Sequence, residues 1–203
     1  MNSSSRCHVM FYIRLINNRS RIQSDEVEIL PILPFADKNP KIDPNAYVSE
    51  QATIVGDVEI GPGASIWPGA VIRGDQAAVR IGANTCVQDS VVIHAHTEEN
   101  PTIIGSLSTI GSASVIHGVY IGDSTNVGEG CVIFDGATLG EGIRLAPGSI
   151  VPANVVIPPR SLNSGVPASQ IRELSREEVE KQSERAETIS QVFRKLKRWQ
   201  ITP

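Results

Sequence analysis

The stretch IGDSTNVGEGCVIFDGATLGEGIRL, residues 121–145, places a branched aliphatic at every sixth position: Ile121, Val127, Ile133, Leu139 and Leu145. The count runs on to Val151 and Ile157. Going backward it recurs, with short slips between blocks, at Ile104, Ile110 and Ile116, at Ile81, Val87 and Ile93, and at Ile42, Val48, Ile54, Ile60, Ile66 and Ile72. Glycine directly follows the aliphatic at Gly61, Gly82, Gly105, Gly111, Gly122, Gly128 and Gly140. A period of six suits neither a helix nor an alternating strand. It is the hexapeptide signature of a parallel β-helix, an all-β fold. Three short strands make one triangular coil, the aliphatics stack inside, and the residue after each is expected to ease a tight corner. Nineteen inward positions at three per coil give about six coils.

Outside the repeat the chain changes character. Residues 1–30 contain Arg6, Arg14, Arg19 and Arg21 and no acid before Asp25, which leaves two readings, a transit peptide or a flexible extension. The β-helix is expected over residues 31–170. Residues 171–203 are expected to hold a C-terminal α-helix, opened by a capping box at Ser175 and Glu178. Its apolar residues Val179, Ala186, Ile189, Val192, Phe193, Leu196 and Trp199 form a stripe that packs on a flat side of its own or a neighbouring prism. Aromatics make up 4% of the 203 residues, formal charge is −4, and no basic stripe is present, which argues against nucleic acid as a partner. No apolar run approaches the ~20 residues that cross a bilayer, so no membrane role is expected. Cys7, Cys86 and Cys131 show no metal-type spacing and fit a reducing, cytoplasmic setting.

Because every third hexapeptide lies above its predecessor, columns can be assigned from the count alone. Ile72, Ile93, Ile116 and Ile133 share one column, and the residues after them are Arg73, His94, His117 and Phe134. Successive coils stand roughly 4.8 Å apart. Two imidazoles at that spacing on a rigid ladder can converge on one ion, with Zn–N bonds of about 2.0–2.1 Å. The competing reading is two surface histidines in chance alignment. Arg73, one coil below, disfavours an imidazolium and so favours a neutral, metal-binding His94. Asp75 is the natural partner of Arg73. Gln88 and Asp89 lie in the adjacent column, with Asp89 beneath Ser112, and either hold solvent or line an interface.

Read together and in order, Ile66-Trp67-Pro68, Ile72-Arg73-Gly74-Asp75, Val87-Gln88-Asp89, Val92-Ile93-His94, Ile116-His117-Gly118 and Gly165-Val166-Pro167-Ala168 resemble the γ-class carbonic anhydrases. The resemblance covers roughly residues 32–175. It implies a left-handed β-helix with a C-terminal helix, assembled as a homotrimer, with zinc (or iron or cobalt) at each interface. Two histidines of one subunit and one of the next would bind the metal, and His94 and His117 match the pair. Arg73 and Asp75, with Asp89, match the interface, and Gln88 matches the residue that contacts the metal's solvent. The neighbour's histidine is replaced: Ser112 stands at that position, and a neutral hydroxyl is a poor zinc ligand. Cys86 stands where asparagine is usual, and Gln76 where an acid often follows the Arg-Gly-Asp segment. His96, in the loop after His94, and a water held by Ser112 and Asp89 are the two candidates for the third ligand. Loss of the metal is the remaining alternative.

Three functions follow. The resemblance implies hydration of carbon dioxide to bicarbonate, with Gln88 orienting the nucleophile and Glu98 of the loop as proton shuttle. A trimeric scaffold without chemistry is the second. The third is acyl transfer, with His94 or His117 as general base.

Overall fold

The computed structural model describes residues 32–196. The chain winds as a β-helix whose coils pair in parallel, followed by one helix, α1 (Arg176–Leu196). The expected all-β, left-handed architecture holds. Every inward aliphatic from Ile54 to Ile157 is buried, and Ile42 and Val48 pack against the end of the same core. Register follows the column arithmetic: Ile72 pairs with Ile93, Ile93 with Ile116, and Ile116 with Ile133.

The three sides of the prism are not separate sheets. Strands Thr53–Ile60 and Val71–Ile81 run round a corner without a break, so two sides form one twelve-stranded sheet and the third an eight-stranded one. Val71–Ile81 pairs with Val92–His94 by its first half and with Thr102–Ile104 by its second. Between those two short strands the next coil leaves the barrel as the loop of residues 95–101.

The glycine expectation needs correcting. Glycines right after the aliphatics do not carry the positive φ; that belongs to the third residue after most of the aliphatics, as at Asn84, Ser90, Leu107, Ala113, Gly130 and Gly148. What Gly111 and Gly128 provide is closeness. A Cβ at Gly111 would lie 2.6 Å from the backbone nitrogen of Glu129, and one at Gly128 would lie 2.5 Å from that of Pro147. The missing side chain lets one coil lie on the next.

A second inward position lies four residues after most of the aliphatics and holds small or aliphatic residues, among them Ala64, Ala70, Thr85, Val91, Ser114 and Ile143. Two of the hydroxyls there donate to the neighbouring coil: Thr85 Oγ1 to the Gly105 carbonyl (2.6 Å) and Ser114 Oγ to that of Gly128 (3.0 Å). Among the described residues no buried side-chain nitrogen or oxygen lacks a partner.

Helix α1 lies on the eight-stranded side of its own prism. The Ser175 N–H donates to Glu178 Oε2 (3.0 Å) and the Glu178 N–H to Ser175 Oγ (3.2 Å), the expected capping box. The buried line differs from the expected stripe. Ala186 is buried, but its companions are Gln182 and Ser190, while Val192 is 48% exposed. The Gln182 amide donates to the Ser124 carbonyl (3.1 Å) and accepts from Arg144 Nε (2.7 Å), so polar contacts supply part of the docking. The side chains of Phe193 and Leu196, all of Trp199 and residues 1–30 lie outside the described set.

Arg172 donates to both Glu178 oxygens, at 3.0 and 2.7 Å. These bonds, with the Ser175 N–H, hold the Glu178 carboxyl at about 2, below its ordinary 4.5. A depressed folded-state value stabilises above the ordinary one and is lost as pH falls through the folded one. Glu178→Gln should therefore lower the thermal midpoint at pH 7, and the gap between variant and parent should close as pH falls from 4.5 to about 2. The site is solvent-exposed, so the gap should also shrink with added salt.

Candidate functional site

His94 and His117 end equivalent strands, Val92–His94 and Val115–His117, and pair directly in register. Strand alternation puts Ala95 inward, where it is buried, and returns His96 to the same side as His94. The loop that carries His96 is pinned at its base. Thr102 Oγ1 donates to the His94 carbonyl (2.8 Å), and the Gly118 N–H donates both to that carbonyl (3.0 Å) and to Thr102 Oγ1 (3.0 Å). The result is a cluster of three imidazoles. Ring centroids lie 4.7 Å apart for His94 and His96, 5.1 Å for His94 and His117, and 4.4 Å for His96 and His117. One ring nitrogen from each lies within 4.8 Å of the others.

Each ring meets an acceptor on the side away from the cluster. Asp75 Oδ1 lies 3.1 Å from His94 Nε2, Asp135 Oδ1 lies 2.7 Å from His117 Nδ1, and Gln76 Oε1 lies 2.9 Å from His96 Nδ1. A carboxylate or amide oxygen only accepts, so His117 Nδ1 and His96 Nδ1 carry protons, while His94 Nε2 faces both the Asp75 acceptor and the Arg73 Nη2 donor. His117 Nε2 is then a lone pair, and it faces His94 Nδ1 at 3.2 Å. With the His94 proton on Nε2 these are two facing lone pairs that a cation would stabilise; with it on Nδ1 they share a hydrogen bond. Nitrogens bound to one tetrahedral zinc at about 2.0–2.1 Å stand about 3.3–3.4 Å apart. The donor set fits a metal of the zinc, iron or cobalt type, for which imidazole is a suitable ligand.

Electrostatics favour the neutral His94. Burial, then the Arg73 charge, hold it below the usual imidazole range against the pull of Asp75. Arg73 acts in the expected direction, but burial is the larger cause. Its Nη2 lies 3.3 Å from His94 Nε2 and donates to Asp75 Oδ2 at 3.0 Å. Burial raises the Asp75 carboxyl, but Arg73 and His94 outweigh it and leave it below the usual carboxylate range.

The other residues singled out in the sequence fall elsewhere. Gln88 Oε1 accepts from the Ser112 N–H (3.2 Å), forming a pair in the adjacent column. Six residues, one side of the prism, separate Gln88 from His94. Asp89 is half-buried beside this pair, and Glu98 is exposed on the loop with His96. Cys86 is buried, and burial pushes its thiol up to about 12, which makes it inert. The sequence reading missed Asp135. It stands one coil above Gly118, the residue next to His117, so the column count held the signal. Gly118 makes room for it: a Cβ there would lie 2.5 Å from Asp135 Oδ1.

Comparison with known proteins adds relatives to this geometry. The family described as "Bacterial transferase hexapeptide (six repeats)" matches residues 38–74, and "GMPPB C-terminal domain" matches residues 75–172. A protein of Methanocaldococcus jannaschii named "Probable carbonic anhydrase" is 46% identical over 145 residues, 71% of this chain and 91% of that one. "Gamma carbonic anhydrase 2, mitochondrial" of Arabidopsis thaliana is 35% identical over 170 residues, 81% of this chain and 61% of its own length. The chain spans 61%, 54% and 36% of three Arabidopsis relatives. Among solved structures, a hexapeptide transferase family protein of Anaplasma phagocytophilum superposes with a TM-score of 0.76 at 34% identity, covering 80% of this chain and 96% of that one.

Proposed function

Because this chain belongs to the γ carbonic anhydrase family of hexapeptide-repeat proteins, we propose that it hydrates carbon dioxide reversibly to bicarbonate with a divalent metal. The observation that carries this reading is the approach of His94 Nδ1 and His117 Nε2, 3.2 Å apart, with His96 beside them in a cluster of three possible ligand nitrogens. A bound zinc, iron or cobalt ion would supply Lewis-acid activation of water near neutral pH. The protein's own part is to aim three imidazoles through Asp75, Asp135 and Gln76.

The assembly proposed is a homotrimer, with prisms side by side. Val92, Val115 and Phe134, at 37%, 36% and 45% exposure, flank the histidines as an apolar rim suited to such a contact. Gln88 and Ser112 lie across a prism side from their own triad, so in a rotational assembly they would meet the neighbour's. There Gln88 would orient the attacking water, Arg73, Asp75 and Asp89 would line the contact, and exposed Glu98 would carry the released proton to solvent. Among the described residues no helix is long and apolar enough to cross a membrane. A cytoplasmic setting with small-molecule substrates fits the proposal.

Acyl transfer is the second reading. The His117–Asp135 pair at 2.7 Å has the make-up of a general base and its orienting partner, and one structural relative bears a transferase family name. Purified protein loaded with zinc and dialysed should retain it and accelerate carbon dioxide hydration in stopped flow. Retained metal without hydration would overturn the anhydrase reading. Turnover that requires coenzyme A would replace it with acyl transfer, and neither metal nor turnover would leave a scaffold.

A further inference from the structure

We infer that the third metal ligand in this chain is its own His96, positioned by Gln76, so that one chain supplies all three imidazoles. This rests on the metal-dependent reading above and specifies how that site closes. Three observations converge on it. Ser112, where the neighbour's histidine would stand, is engaged with Gln88 and offers only a neutral hydroxyl. His96 instead lies against both strand histidines of its own chain, 4.7 and 4.4 Å away between ring centroids. Its far nitrogen is matched with the Gln76 amide oxygen at 2.9 Å, which leaves Nε2 as the lone pair.

The fold explains why these two residues meet. Gln76 lies in the strand Val71–Ile81 where that strand rounds its corner, and the next coil leaves the barrel above this point to form the His96 loop. Bonds through Thr102 and Gly118 pin the loop's base. His96 is therefore anchored to the barrel through Ala95 on one side and reaches Gln76 on the other. An acid at position 76 would also accept from Nδ1; an apolar residue could not. Gln76 is a positioning residue and His96 a ligand.

The test is cobalt binding by the full chain, followed by the visible ligand-field spectrum and by competition with a chelator. The parent should bind a single cobalt per chain. His96→Ala should weaken binding by more than the ten- to hundredfold typical of losing an outer hydrogen-bond partner, with a changed spectrum. Gln76→Leu should weaken it within that tenfold to hundredfold range, and Gln76→Glu should restore it. Residues 76 and 96 are both exposed, so the variants should keep the parent's circular dichroism. Mixed assemblies of His96→Ala and His117→Ala chains should regain no complete site. If the parent binds cobalt but His96→Ala binds it equally with the same spectrum, the inference fails and the metal-dependent reading stands. Recovery of full sites in the mixed assemblies would also overturn it, by showing a ligand donated across the interface. A parent that binds no cobalt overturns both.

Discussion

His117→Ala is expected to weaken zinc retention more than hundredfold while leaving the folded coil intact. His117 contributes the lone pair that faces His94 at 3.2 Å and is itself aimed by Asp135 at 2.7 Å. Mutating an outer partner of a metal ligand commonly costs ten- to hundredfold in affinity, so deleting the ligand should cost more. The side chain is half-buried at a strand end and outside the apolar core, so its loss should change stability by no more than about 1 kcal/mol. Competition against a chelating dye measures the first effect and a denaturant midpoint the second. Unchanged zinc affinity would mean that the metal sits elsewhere. Asp135→Ala should show a smaller loss in the same assay, because the imidazole remains but its tautomer is released.

The largest stability change is expected from Ile116→Ala. Ile116 is fully buried, with Ile93 below it and Ile133 above in the same column. Large-to-small changes at such sites cost about 2–5 kcal/mol, and a stacked column has little freedom to collapse into the gap. The denaturant midpoint should fall with little change in slope. Val156→Ala, at a position 72% exposed, should stay within about 0.5 kcal/mol. Similar losses at both positions would contradict the inward and outward assignment of the repeat. Because each coil touches mainly its neighbours, the loosened coil would be the one that presents His117, and metal retention should fall as well.

Much of this was legible before any coordinates. The six-residue count identified the inward positions, and the eighteen-residue coil put His94 under His117 and Arg73 under His94, as the register has them. The same arithmetic puts Asp135, the second residue after Ile133, above Gly118 and beside His117. Its signal lies in the second residue after an aliphatic, whereas the histidines stand in the first. The role of the glycines was misassigned for a different reason. Periodicity says where a residue recurs, but not whether its constraint is a backbone angle or the approach of the next coil; Gly111 and Gly128 answer to the approach. In the helix, the apolar stripe led toward Val192, whereas docking uses Gln182 and Ser190, whose value depends on acceptors from distant coils.

By itself the sequence determined the stacked prism, the vertical neighbours and the vacancy left by Ser112 in the expected ligand set. The first two follow from a local repeat that holds whatever the rest of the chain does; the third follows from the family resemblance. Only the tertiary structure decided that His96 joins His94 and His117, and that Asp75, Asp135 and Gln76 face their outer nitrogens. Those contacts join the corner of one coil, a loop that breaks the period and a turn of a third coil. No repeat relates such segments, so their meeting depends on where the loop's path and the prism's corners bring them in space.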